Sequence, residues 1–278
     1  MHPNSINMFT PNIEKAGRSK RLSPQNLRLF PNEYATILKE ITVQKKNFMV
    51  QRAFLTMLTI AISVSLSFAA DNTLTEQEKK DGWRLLFDGH STEGWMSPKE
   101  KPLSDKHVQE GSLNPHPCDY MLMHKQVWEN YTLSLDFKIS PRCNSGIFVR
   151  TFPLMPRPGK DIGFNGIEIA IDDTMTAGFH DTGAIYDLVK PTKNAMNPVG
   201  QWNHIVISSD HAVLALTLNG QQVSHIDLDQ WPEPNKRADG SAHKFDVAYK
   251  THSRKGYIGL QDHGSDCWYK NIKILPLP

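Results

Sequence analysis

The sequence predicts an all-β protein over residues 71–278, an antiparallel β-sandwich of jelly-roll type. Three observations carry this. Short apolar segments with a period of two recur from Trp83 onward, clusters of Gly, Pro, Asn and Asp separate them, and neither a helical period nor βαβ spacing interrupts them.

In chain order, a turn or two of helix is expected near 74–80, then strands at 83–87 and 119–124. The clearest strand is Tyr131–Ile139, where Tyr131, Leu133, Leu135, Phe137 and Ile139 share one face and Thr132, Ser134, Asp136 and Lys138 the other. Strands at 145–151, 166–172 and 202–209 follow. A hairpin spans 212–226, because Asn219-Gly220 suits a two-residue turn needing positive φ at both positions. A short helix is expected around 229–237, and the last strands at 256–261 and 267–275 bring the total to roughly ten. Three long connections, 96–118, 152–165 and 173–200, exceed the usual loop ceiling of about 12–15 residues and are the expected walls of a site.

The charge is unevenly spread. Residues 1–70 hold nine Lys/Arg against three Asp/Glu, whereas residues 71–278 hold 22 against 26 and form no basic patch with interleaved aromatics. Nucleic-acid binding is therefore excluded as an expectation. Lys45, Lys46 and Arg52 precede an apolar run from Ala53 to Phe68 that ends in small residues, which is the order of a secretory signal. That run falls short of the ~20 residues of a membrane span, so cleavage near Ala69 or Ala70 and export to the periplasm or exterior are expected, with no membrane anchor left. Translation is expected to begin at Met49, making 1–48 a misassigned or disordered leader, 49–70 the signal peptide and 71–278 a single domain. Cys118, Cys143 and Cys267 cannot all pair among themselves; one disulfide or three thiols both fit, and no metal-type Cys spacing occurs.

Four constellations could carry chemistry. In Gly166–Asp173 the isoleucines 167, 169 and 171 face a core, leaving Glu168, Ala170 and Asp172 on the other face, either merely solvated or lining a concave site. Glu168 and Asp172 stand about 13 Å apart along the strand, too far for the paired carboxyls of a conventional glycosidase, at about 5–9.5 Å. Gln261-Asp262-His263 ends a strand, and a histidine held by a carboxylate can serve as acid or base; Asp262 capping a surface turn is the alternative. Asn144 and Arg150 bracket a strand, the arginine able to hold an oxyanion or make a surface ion pair. His180 lies in the 173–200 loop, in reach of the same face.

Taken in order, these segments resemble the 3-keto-disaccharide hydrolase domain family over residues 83–277. The resemblance rests on Trp83–His90 with Gly94-Trp95, Asn144–Arg150, Gly166–Glu168 with Asp172-Asp173, Thr182–Tyr186, Gly200–Asn203, Leu218–Gly220 and Gly256–Gly264 with Asn271-Ile272. The family often shows Gln where this chain has Ala170, and Gly is common where it has Asp187. The resemblance implies a concanavalin A-like sandwich, a concave sugar site and hydrolysis of the glycosidic bond of 3-keto-sugars by elimination and water addition. On that reading Glu168, His263 and Arg150 are the candidate catalytic residues, and Asn144, Asp172, Gln261, Asp262, His180 and Trp268 the candidate substrate contacts, Trp268 as a stacking platform. Two other readings stay open: a non-catalytic carbohydrate-binding module, and a lyase or hydratase dependent on a divalent metal held by Glu168, Asp172, His180 and His263.

Overall fold

The computed structural model describes residues 70–278, so the expected leader and signal peptide lie outside the described residues, apart from Ala70. The chain forms the antiparallel β-sandwich that the alternation predicts, with thirteen strands in two sheets among these residues.

The helix comes first: α1 (Glu76–Asp81) starts on a capping box between Thr75 and Glu78 and stops at Gly82. The strands are β1 (Arg84–Leu85), β2 (Trp95–Met96), β3 (Val108–Gln109), β4 (Ser112–Leu113), β5 (Met121–His124), β6 (Tyr131–Ile139), β7 (Asn144–Thr151), β8 (Ile167–Asp172), β9 (Asn203–Asp210), β10 (Val213–Leu218), β11 (Gln221–Asp227), β12 (Tyr257–Gln261) and β13 (Cys267–Pro276). The larger sheet runs β11-β10-β9-β6-β13-β4-β3, with β1 also on β13; the smaller runs β2-β5-β12-β7-β8.

Leu133, Leu135 and Phe137 of β6 and Ile205 and Ile207 of β9 pack against Leu122, Ile147, Val149, Ile169, Ile258 and Leu260 of the smaller sheet, closing one core between the two. The β10–β11 hairpin turns at Asn219 and Gly220, with φ 47° and 76°. Two expectations are corrected. The 96–118 connection is not wholly irregular, since it contributes β3 and β4. The helix around 229–237 shrinks to a 3-10 turn, Leu228–Gln230, because Pro232 and Pro234 cannot supply helical N–H groups. All three cysteines are free thiols, and Cys143 and Cys267 are buried. Among the described residues no helix is long and apolar enough to cross a membrane.

Candidate functional site on the smaller sheet

Because side chains alternate across a strand, the residues of the smaller sheet that do not enter the core form its outer face. From β8 these are Glu168, Ala170 and Asp172; from β7, Asn144, Gly146 and Phe148; from β12, Gly259 and Gln261; from β5, Met121 and Met123. Met96, Met121, Met123, Phe148 and Ile162 form a second apolar cluster there, onto which Tyr120, Leu154 and Tyr257 pack. The face is therefore half floor and half covered by the 152–165 connection.

Glu168 is the singular group on this floor. It is partly buried, its carboxyl makes no hydrogen bond among the described residues, and burial pushes its pKa up to about 8. Lys244 nearby opposes that shift and Asp161 adds to it. Across the strand pair, a Cβ on Gly146 would stand 2.8 Å from Glu168 Oε1. The glycine thus leaves room for the carboxyl, and Ala170 opposite it adds only a methyl group beside that space.

Around Glu168 stand groups that sequence reasoning missed. The Tyr120 hydroxyl donates to Asp161 Oδ1 at 3.1 Å, burial pushes its pKa far up, and it keeps its proton at neutral pH. Asp161 is fixed in turn by the backbone N–H of Gly163, at 2.9 Å. Gln261 is buried beside the Tyr120 hydroxyl, and its Oε1 has no hydrogen-bond partner among the described residues. Lys244 is exposed and lies 4.2 Å above the Tyr186 ring. Tyr120 and Asp161 were legible only as a strand end and a loop residue, and Lys244 lies where no element is expected.

The 173–200 connection supplies a wall. Gly183 and Tyr186 donate backbone N–H groups to the carbonyls of Ala170 and Glu168, and Ala170 donates to Ala184, so this segment runs along β8 like a further strand. His180 stacks on Tyr186 with ring centroids 4.6 Å apart, and its Nε2 is 3.4 Å from Asp187 Oδ1. Asp187 also takes the Arg237 guanidinium and the backbone N–H of Lys244. Its φ of 56° lies in the left-handed region, which accounts physically for the glycine common there in the resembling sequences.

The nine residues singled out in the sequence divide. Glu168, Asn144, Asp172 and Gln261 share this outer face, and His180 stands on its rim beside Tyr186. Asp172 is occupied: its carboxylate accepts from Thr182 N–H at 2.9 Å and Thr174 Oγ1 at 2.7 Å, tying down the wall loop. Asp262 does not hold His263. It accepts from His116 Nδ1 at 3.0 Å and from the backbone N–H groups of Cys118 and Gly264, so it anchors the end of the 96–118 connection, while His263 is exposed and makes no side-chain hydrogen bond among the described residues. The pair is His116–Asp262, partners 146 residues apart and invisible to local reading.

Arg150 and Trp268 lie elsewhere. Between Tyr257/Thr151 and Gly259/Phe148 the β7–β12 register shifts, β7 carrying the extra residue, and Arg150 takes φ 55°. The bulge turns Arg150 inward, fully buried, where Nε donates to Ser209 Oγ at 3.0 Å and a terminal N–H group to the His211 carbonyl at 2.7 Å. It fastens the two sheets rather than facing a ligand beside Glu168. Trp268 belongs to β13, paired with Lys138 on the outer face of the other sheet. Among the described residues no three His, Cys, Asp or Glu side chains converge as a metal-binding group, so Glu168, Asp172, His180 and His263 do not form the single cluster that the metal reading required.

An unpaired carboxyl of raised pKa on the outer face of a sheet, near tyrosine, amide and ammonium groups, is suited to acid–base chemistry. Comparison with known proteins gives the family. Residues 82–275 match the model of the 3-keto-alpha-glucoside-1,2-lyase-like domain, and the chain belongs to that family. It is 23% identical over 252 residues to a 3-keto-disaccharide hydrolase of Bacteroides thetaiotaomicron, covering 78% of this chain and 86% of that protein. A solved structure from Parabacteroides distasonis, assigned as a glycosyl hydrolase, is 30% identical with a TM-score of 0.60, covering 70% of this chain and 99% of that one. A second from the same organism, 23% identical with a TM-score of 0.61 over 75% of this chain and all of its own length, shares the fold.

Proposed function

We propose that this protein is an exported hydrolase that cleaves the glycosidic bond of 3-keto-glucosides by elimination followed by water addition, with Glu168 as the acid–base group. The observation that carries this reading is a half-buried carboxyl without a hydrogen-bond partner among the described residues, pushed up to about 8 by burial and set against Gly146, whose missing Cβ leaves it room. A base whose pKa lies near the working pH transfers protons most effectively.

A ketone at C3 acidifies the hydrogen at C2. Ionised Glu168 removes that proton, and the electron pair passes into the C2–C3 enolate. As C3=O re-forms, the pair becomes the C1=C2 bond, the C1–O bond breaks, and the leaving oxygen takes the proton back from Glu168. Water then adds across C1=C2, its hydroxyl to C1 and a proton to C2, so the sum is hydrolysis. Lys244 is the enolate-stabilising cation in this scheme, the role the sequence reading gave Arg150; Gln261 and Asn144 take sugar hydroxyls. The chemistry needs one acid–base group rather than two carboxyls across the anomeric carbon, in keeping with the wide separation of Glu168 and Asp172 and the engagement of Asp172 with its loop. The description of the family as a 1,2-lyase-like domain and the name of the Bacteroides relative support the same bond and the same keto-sugar class. Export rests on the pattern of residues 49–70.

The test is to incubate the protein with a 3-keto-disaccharide and with its unoxidised parent and follow release of the leaving sugar against pH. Cleavage of the keto form alone, with kcat/KM rising toward a plateau above pH about 8, is expected. Cleavage of the parent at an equal rate would overturn the elimination route, and binding without cleavage of either would leave a sugar-binding module.

A further inference from the structure

We infer that the outer face of the larger sheet carries a second sugar site, which binds the pyranose rings of neutral oligosaccharides and takes no part in bond cleavage. The site is a cleft of about 330 Å³ lined by Trp202, Trp268, Lys138, Gln109, Glu110 and Ser112, with Lys270 and Asp71 at its margin. That volume lies within the range of small-ligand clefts.

The sheet builds it by pairing. Lys138 of β6 stands opposite Trp268 of β13, and Trp202 immediately precedes β9, whose Asn203 pairs with Phe137. Outward-pointing residues of three adjacent strands thus meet at one place, and β3 and β4 close it with Gln109 and Ser112. The Lys138 ammonium lies 4.9 Å from the Trp268 ring and 5.1 Å from that of Trp202, and Lys270 lies 4.3 Å from Trp202. Trp268 is held further by its indole N–H, which donates to Gln109 Oε1 at 2.9 Å. Two half-buried indoles whose orientation is fixed by cations and an amide are preformed surfaces, and ordering them costs a ligand little.

The polar groups select the ligand. Lys270 is already paired with Asp71 at 2.7 Å, whereas Lys138 has no carboxylate within ion-pair distance and Glu110 is exposed without a cation partner among the described residues. The cleft therefore offers donors and acceptors side by side, with no net charge among its two lysines and two acids. A pyranose matches both properties, presenting C–H groups to an indole and hydroxyls to ammonium, carboxylate, amide and Ser112 hydroxyl. An anionic sugar finds no net positive charge to hold it, because Glu110 and Asp71 balance Lys138 and Lys270. Nothing in the acid–base chemistry of Glu168 uses these residues, which lie on the other sheet.

The experiment is a titration of the full chain with maltotriose, cellotriose and, as the anionic comparison, glucuronate, read from the indole N–H resonances of the six tryptophans. A neutral trisaccharide is expected to shift the Trp202 and Trp268 signals. Trp202→Ala, read at Trp268, is expected to weaken binding about tenfold or more. Lys138→Met, which keeps the side-chain length on the strand, is expected to weaken it as well. Both variants should cleave a small soluble keto-substrate at the wild-type rate, and Glu168→Gln should keep the binding. Neutral sugars that leave both signals in place, binding undiminished in Trp202→Ala and Lys138→Met, or binding of glucuronate alone would each overturn the inference.

Discussion

The two outer faces of the sandwich solve the same problem in opposite ways. On the larger sheet and the segments bordering it acids are paired or solvated: Asp136 meets His204 at 2.6 Å and Asn271 at 2.7 Å, Asp71 meets Lys270, Glu78 meets Lys273 at 2.8 Å, and Glu110 is exposed to water. On the smaller sheet Glu168 has no hydrogen-bond partner among the described residues and stands next to an apolar cluster. Desolvating a carboxyl without pairing it favours the neutral acid and destabilises the ionised one. A fold tolerates such a cost where a proton must come and go, and the acid–base role proposed for Glu168 rests on this contrast.

The sharpest way to break this contrast is Glu168→Gln, which keeps the shape and removes the proton traffic. Activity on a 3-keto-glucoside is expected to fall by about 10²–10⁴-fold in kcat with little change in KM; full retention would remove the contrast altogether. Next comes Gly146→Ala. Its methyl group would press on Glu168 Oε1, and a misplaced acid–base group costs on the order of 10²-fold in rate. Circular dichroism should show the fold intact, which separates this loss from unfolding.

A third prediction concerns stability. Above the ordinary glutamate value of 4.5 the unfolded chain has released the Glu168 proton, while the folded chain holds it up to about 8. The group's contribution to stability therefore falls as pH rises through that window and levels off above it. Relative to wild type, Glu168→Gln should gain stability with rising pH by up to about 1.4 kcal/mol per unit across the window, seen in urea unfolding at a series of pH values. A flat difference would mean that the carboxyl is already ionised. The smallest effect belongs to the other face, where Asp136→Asn is expected to cost no more than about 1 kcal/mol and to leave catalysis unchanged.

What the sequence discloses follows the reach of each interaction. Tyr131–Ile139 and the Asn219-Gly220 hairpin were legible because alternation and turn chemistry act over a few residues. Glu168 was legible for the same reason, since three isoleucines fix which face it takes. Arg150 was misread because a bulge reverses the parity of the strand that carries it, and nothing local announces a bulge. Trp268 was misread because alternation says which side of its own strand it occupies, and not which sheet that strand joins. His116, Tyr120, Asp161 and Lys244 come from separate segments, and pairings such as Asp262 with a histidine 146 residues away exist only once the chain has closed.

The segment 183–186 that runs along β8 has a bearing on how the protein behaves among copies of itself. An open sheet border with free N–H and C=O groups is a template on which another chain can add a strand, the usual beginning of runaway association. Here the backbone groups of Ala170 and Glu168 that would form that template are spent on Gly183, Ala184 and Tyr186. The segment that walls the Glu168 face is thereby also a seal, and shortening it would uncover the edge of β8 and create a new liability to aggregate.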